Sequence, residues 1–241
     1  MAVPDVNEVP RTKPRRLMVS VGYRAYRVAR RALPGEWLLR RLLTLDWLAH
    51  RLSYELALDV YGPDFLDTTL GATDDELRTF ITPDDVVLDL GCGAGRTSRR
   101  LAPFAKQVIG LDTSAAGIAE ARRGPAAPNV DFRVHDITEG VPSGDVAVLL
   151  HVVEHLDDPV PFLASLPVTR IVVEVPDLAA NVLSAARLRL GTPWWADDDH
   201  VRELTSEGLV QLLAAAGWTT ERTLHRGGSV TAFATATSAA T

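Results

Sequence analysis

The ten residues from 86 to 95 read Val-Val-Leu-Asp-Leu-Gly-Cys-Gly-Ala-Gly and run straight into Arg96-Thr-Ser-Arg-Arg100. The first five form a short apolar run of the kind buried on both faces of a parallel sheet. The three glycines at alternate positions, Gly91, Gly93 and Gly95, mark a turn where backbone must bend sharply and approach a ligand with no Cβ in the way. The helix that opens at Arg96 then aims its first amides back at that turn. Strand, glycine turn and helix in this order begin a parallel βαβ unit, which makes the expected fold class α/β and doubly wound, or Rossmann-like.

The alternation repeats downstream. Strands are predicted at Gln107 to Asp112, Val130 to His135, Val146 to His151 and Ile171 to Val175, completing five βα units. Ser206 to Ala216 has helical periodicity, with Thr205 as its N-cap and Gly217 as its C-cap. Two alternating runs, Trp218 to Leu224 and Ser229 to Thr235, flank Gly227 and Gly228 and predict an antiparallel hairpin added to the sheet edge. Upstream, Leu17 to Val60 is helical in pattern, with Trp37, Leu38, Leu42, Leu45, Leu48 and Leu52 recurring among arginines. Pro34 and Gly35 split it into at least two helices. The expected organisation is a loosely attached basic arm over 1–16, a helical lid over 17–79 that roofs a substrate site, and the main α/β domain over 80–241.

With 241 residues, 46% hydrophobic and 23% charged, the chain can bury one substantial core. Its one cysteine, Cys92, excludes internal disulfides and cysteine-only zinc sites and fits a reducing compartment, so a cytoplasmic location is expected. Arg15-Arg16 is followed by too short an apolar stretch for an export signal, and no run approaches the roughly 18 apolar residues of a membrane span. Charge is unevenly spread. Residues 11–51 carry eleven Lys or Arg against two acids, a balance of +9, while residues beyond 51 carry fourteen against 27, a balance of −13. A basic end on an acidic body can touch an anionic partner such as a membrane surface, a phosphorylated substrate or nucleic acid, or be simply a solvated helix face. Apolar faces on the same helices are compatible with either a monomer or a homodimer.

Asp112 stands twenty-one residues beyond Gly91, at the end of the second strand, where a carboxylate can accept both hydroxyls of a ribose. Asp136, after the third strand, can take an amino hydrogen from an adenine. Three strand ends thus converge on one nucleoside.

This ordered trio resembles the class I S-adenosylmethionine-dependent methyltransferases over about residues 80 to 235. The resemblance implies a seven-stranded, mostly parallel sheet with one reversed edge strand, which the C-terminal hairpin fits. It implies S-adenosylmethionine as cofactor, with Asp89 near the methionine moiety and Gly91, Cys92, Gly93 and Gly95 packed against it. Asp112 with Thr113 falls at the ribose, Asp136 with Ile137 at the adenine, and His151 at the edge of the site. A nicotinamide-dependent oxidoreductase is the rival from another class. Its G-x-G-x-x-G spacing is missed by one residue, all four tyrosines (Tyr23, Tyr26, Tyr54, Tyr61) precede the turn, and Lys106 is the only later lysine. A non-catalytic subunit on the same fold is a further alternative.

The fourth strand runs into His151-Val-Val-Glu154-His155-Leu-Asp157-Asp158-Pro159, which resembles the post-strand motif of ubiquinone-pathway and glycan-associated O-methyltransferases. Methyl transfer is an in-line displacement, so the enzyme must align a nucleophile and relieve it of a proton. An imidazole suits that task, and His151 and then His155 are the expected bases. The acceptor is expected to be a small molecule methylated at oxygen, such as a sugar, polyketide or quinone-like hydroxyl, with nitrogen as the alternative. Trp194 and Trp195, with His200, are read as walls of its pocket, with simple core or lid packing as the equal alternative for the two tryptophans.

His151, Glu154, His155 and His200 also resemble the Glu-x-x-Glu-His cluster and later histidine with which small-RNA 2′-O-methyltransferases hold a divalent cation. His151 replaces the first glutamate, which disfavours magnesium and shifts preference towards a transition metal. The plainer reading makes Glu154 a helix-start carboxylate, His155 a packing residue and His200 a cap or substrate contact. The acidic body argues against nucleic acid as substrate.

Overall fold

The computed structural model describes residues 16–61, 74–125, 127–192 and 199–237. The expected arm over 1–16 therefore lies almost wholly outside the described residues. The chain divides into two compact units, one of residues 1–69 with 182–195 and a larger one of residues 70–181 with 196–241.

The smaller unit holds α1 (Arg16–Ala32) and α2 (Gly35–Tyr61), broken at Pro34 as its fixed φ and missing amide require, together with the short α7 (Ser184–Leu190). Arg187 of α7 is the clamp. Its Nη1 donates to the Leu43 carbonyl at 2.8 Å, its Nη2 pairs with the Asp46 carboxylate, and Arg40 of α2 donates in return to the Leu190 carbonyl. These bonds cover the side of α2 that buries Leu43.

The larger unit is built on a seven-stranded sheet in the order β3-β2-β1-β4-β5-β7-β6. The strands are β1 (Val86–Leu90), β2 (Gln107–Asp112), β3 (Val130–Val134), β4 (Val146–Leu150), β5 (Arg170–Pro176), β6 (Trp218–Arg226) and β7 (Ser229–Ala236). The first five are parallel; β7 runs antiparallel between β5 and β6. The reversed strand and the hairpin match the expected topology, and all seven strands fall within a few residues of the sequence reading. Strand order reverses between β1 and β4, the switch point at which open α/β sheets bind ligands.

Helices α3 (Asp74–Arg78), α4 (Arg96–Leu101), α5 (Ala115–Arg123), α6 (Pro159–Ala164) and α8 (Ser206–Ala215) belong to this unit. Thr205 caps α8 as expected, its hydroxyl accepting from the Gly208 amide at 3.1 Å. Alternate residues of the central strands feed two cores. Leu88, Leu149, Ile171 and Val173 pack with Leu209, Leu213 and Trp218, while Val87, Val148, Val172 and Phe233 pack with Leu77, Phe80 and Leu101. Both faces are therefore dry, the physical reason these strands read as continuous apolar runs rather than alternating ones.

Phe233 is the largest fully buried side chain of the reversed strand β7. It meets Phe80 edge-on at 5.3 Å between ring centres and carries the Arg222 guanidinium 4.1 Å from its own. Replacing Phe233 with Ala should lower the unfolding free energy by about 3–5 kcal/mol, read from the urea midpoint. A loss below about 1 kcal/mol would mean that β7 is not part of the same cooperative core.

Candidate functional site

At the carboxyl end of β1 the Leu111 carbonyl accepts both the Gly91 amide, at 2.8 Å, and the Cys92 amide, at 3.0 Å. The chain is thereby folded back across β2. Gly91 has φ 78°, and a Cβ there would lie 2.5 Å from Val152 Cγ2; Gly95 has φ 76°, and its Cβ would lie 2.4 Å from Phe132 Cζ. Neither position admits a side chain. Gly93 differs, since nothing lies within 4 Å of the place its Cβ would take. Backbone is bare there and open to a ligand.

The same turn orients Asp112. The Gly93 amide donates to Asp112 Oδ2 and the Ser114 amide to Oδ1, each at 2.7 Å. Both oxygens keep lone pairs for vicinal hydroxyls. Asp136 caps the turn Ile137–Glu139, its Oδ1 accepting the Thr138 amide at 2.9 Å and the Thr138 hydroxyl at 2.7 Å. Those bonds hold its carboxyl below the ordinary carboxylate range. Ile137 is buried beneath it, and Thr113 is exposed beside Asp112. Cys92 is buried, and burial, followed by the Asp89 and Asp112 charges, pushes its thiol well up, so it packs rather than reacts. The residues expected at the nucleoside are thus gathered on three adjacent strand ends, and the bare cradle at Gly93 beside an aimed carboxylate fits such a group.

Past β4 the chain turns through His151, which has φ 56° and is the one non-glycine residue at positive φ among the described residues. Its amide donates to the Glu174 carbonyl at 2.9 Å. Its ring is held from both sides. Nδ1 lies 3.2 Å from Glu154 Oε1 and Nε2 3.3 Å from Glu174 Oε1, both carboxylates buried. Thr231 secures Glu174 by donating its hydroxyl to Oε2. Desolvation of the ring works against its charge, but the hydrogen bonds and charges of Glu154 and Glu174 outweigh it and push His151 up to about 10. An imidazolium with both nitrogens engaged has no lone pair to take a proton, so the expected role of His151 as base does not suit this geometry.

The neighbouring cluster is arranged differently. Glu154, His155 and His200 bring one ligand atom each within 4.8 Å of one another. The His155 and His200 rings meet edge-on at 4.7 Å between centres. His200 Nδ1 is 2.9 Å from Glu203 Oε1, and both side chains are buried, which leaves Nε2 to face outward from that pair. His155 Nδ1 is 3.4 Å from the Asp199 carbonyl. Glu154 Oε2 is buried with no hydrogen-bond partner. Three of the four expected metal-binding residues are therefore brought together, while His151 turns to the carboxylates instead. Trp194 and Trp195 lie outside the described residues. Glu174 and Glu203 were not foreseen. The only signal for Glu174 was a charge inside the apolar run Ile171 to Val175, and for Glu203 its place three residues after His200.

Residues 49–223 match the methyltransferase-domain family. A probable S-adenosylmethionine-dependent methyltransferase of Mycolicibacterium smegmatis is 34% identical over 141 residues, covering 57% of this chain and 53% of that protein. A ubiquinone biosynthesis O-methyltransferase of Bradyrhizobium sp. is 36% identical over 81 residues, 32% of each chain. The chain thus spans about half or less of these relatives' length. Among solved structures, magnesium protoporphyrin IX methyltransferase from Synechocystis, with bound SAH, superposes with a TM-score of 0.55 at 16% identity, covering 78% of this chain and 100% of that one.

Asp89 lies beneath the glycine turn, 2% exposed, with its Oδ2 accepting the Ser98 hydroxyl. Burial, with the Asp112 charge adding to it, raises its pKa from 3.8 to about 6 against the Ser98 bonds. A folded-state value above the unfolded one favours the neutral form, so this contribution to stability is present below about pH 4 and lost as pH rises through 6. Asp89→Asn keeps an acceptor for Ser98 and removes the buried charge. The variant should match the parent in thermal stability near pH 4 and exceed it by up to about 3 kcal/mol above pH 6. Equal stability across that window would mean that Asp89 bears no desolvation cost.

Proposed function

The chain belongs to the class I S-adenosylmethionine-dependent methyltransferases, and we propose that it methylates an oxygen of a small-molecule acceptor held at the carboxyl edge of β4. The observation that carries this reading is the open backbone at Gly93 next to the doubly anchored Asp112 carboxylate. Asp112 would accept the ribose hydroxyls, Asp136 the adenine amino group, and Gly91 to Gly95 would lie along the remainder of the cofactor. When bound, the cofactor supplies an electrophilic methyl group on its sulfonium sulfur.

The chain's own work is to place the acceptor and manage one proton. Of the two expected bases, His155 retains that role. A proton on its Nδ1 directed at the Asp199 carbonyl leaves Nε2 with a lone pair for an acceptor hydroxyl. His151, fixed as a cation between Glu154 and Glu174, offsets the charge of two buried carboxylates and keeps the post-β4 turn in place. The ubiquinone-pathway relatives support oxygen as the acceptor atom.

A second reading rests on Glu154 Oε2, buried and unpartnered within reach of His155 and His200. In this reading Glu154, His155 and His200 hold a divalent ion against the acceptor oxygen, with Glu203 orienting His200. Two nitrogens and one oxygen favour manganese, cobalt or zinc over magnesium.

Calorimetric titration with S-adenosylhomocysteine should give micromolar binding. Asp112→Ala should lose about 3 kcal/mol of that affinity with its circular dichroism unchanged, since two hydrogen bonds to a charged group disappear. Unaltered affinity would remove Asp112 from the ribose.

The two readings part under chelation. With His155 as base, turnover on a panel of phenolic and sugar acceptors survives EDTA, and His155→Ala is inactive while binding S-adenosylhomocysteine normally. With a bound ion, EDTA abolishes turnover, Mn²⁺ or Zn²⁺ restores it, and His200→Ala fails to respond to added ion.

A further inference from the structure

The smaller unit leaves unabsorbed a feature that the reaction does not need. Helix α1 is exposed from Val19 to Ala32, apart from the half-buried Ala29, and is two-sided. At 100° per residue, Arg24, Arg27, Arg30 and Arg31 fall in one sector, and Val21, Ala25, Val28 and Ala32 fall in the opposite one. Val28 is 68% exposed although it is among the most apolar residues of the helix. Tyr26, also exposed, lies at the edge of the arginine sector, and the exposed Tyr23 lies within it. Helix α2 repeats the pattern. Its Leu43 side is taken by Arg187 of α7, while Leu42, Leu45, Leu48 and Leu52 form a stripe on another side, with Leu45 60% exposed. Trp37, exposed at the start of α2, has the Arg41 guanidinium 5.3 Å from its ring centre.

Apolar stripes of this extent are rarely left in water. We propose that α1 and the first two thirds of α2, up to Leu52, are a docking surface for an anionic lipid bilayer, on which the helices lie in the headgroup plane with their apolar sectors inserted. Charge complementarity selects this occupant. Residues 16–41 carry seven arginines against the single acid Glu36, so an anionic leaflet attracts all seven, whereas a second copy of this end brings only more positive charge and no counter-charge. Arginines opposite an apolar sector, with tyrosines and a tryptophan nearby, is the composition of helices that lie in a membrane interface. No helix among the described residues is long and apolar enough to cross a membrane, so the chain would rest on the bilayer rather than span it. The net negative charge beyond residue 51 confines the attraction to this end.

The test is sedimentation of the full chain with vesicles of phosphatidylcholine alone and of phosphatidylcholine mixed with phosphatidylglycerol. Binding to the mixed vesicles should exceed binding to the neutral ones by at least about tenfold and should weaken as salt is raised. Replacing Arg24, Arg27, Arg30 and Arg31 together with Glu should remove that difference, and Leu45→Asp with Leu52→Asp should weaken binding to mixed vesicles. All variants should bind S-adenosylhomocysteine as the parent does, which shows that the larger unit is folded. Equal binding to both vesicle types would overturn the electrostatic argument. Failure to bind either type, with a dimer that Leu45→Asp and Leu52→Asp dissociate, would assign the surface to a second copy instead.

Discussion

The Leu111 carbonyl, accepting two successive amides from Gly91 and Cys92, ties the turn after β1 to the end of β2, and the rest of the site follows from that tie. It demands positive φ at Gly91 and Gly95, and it brings neighbouring backbone so close that a Cβ at either would collide with Val152 or Phe132. It also carries the Gly93 amide to Asp112, which converts an ordinary strand-end carboxylate into one with a set direction. A glycine turn alone would be a flexible loop. Pinned to β2 and packed on β3 and the post-β4 segment, it becomes a rigid, bare stretch of backbone at the point where strand order reverses.

The other side of the switch point is governed by buried charge. Glu154 and Glu174 are withdrawn from water, a placement that costs several kcal/mol per ion unless a partner is present. His151 is that partner, and its left-handed backbone is the local strain accepted to put one ring between two carboxylates. What remains unsatisfied is Glu154 Oε2, next to two histidines whose Nδ1 atoms already face oxygens of Glu203 and Asp199. One of the three buried side-chain polar atoms without a hydrogen-bond partner among the described residues is thus placed where the acceptor is proposed to sit.

Charge separates the two units as clearly as contacts do. The helices of the smaller one gather arginine around exposed leucine and valine, while the remainder of the chain is acidic. An acidic body discourages polyanionic substrates in general, so an attraction to anionic lipid is a property of one end and not of the whole surface.

The sequence by itself determined the class of fold, five parallel strands, the reversed hairpin, the N-cap of α8 and the gathering of the glycine turn, Asp112 and Asp136 at three neighbouring strand ends. Each of these is a local property. Burial on both faces shows as an unbroken apolar run, left-handed backbone shows as glycine, and a cap shows as Thr205 ahead of a helical period. Only the tertiary structure decided the chemistry of the histidines. Glu174 reaches His151 because β5 lies beside β4, and it is secured by Thr231 through a register across 57 residues of chain. His200 reaches Glu154 because the Val201 and Arg202 amides donate to the Glu154 carbonyl. The state of an imidazole depends on which charges surround it in space, and no spacing along the chain encodes that when the charges arrive from three different segments.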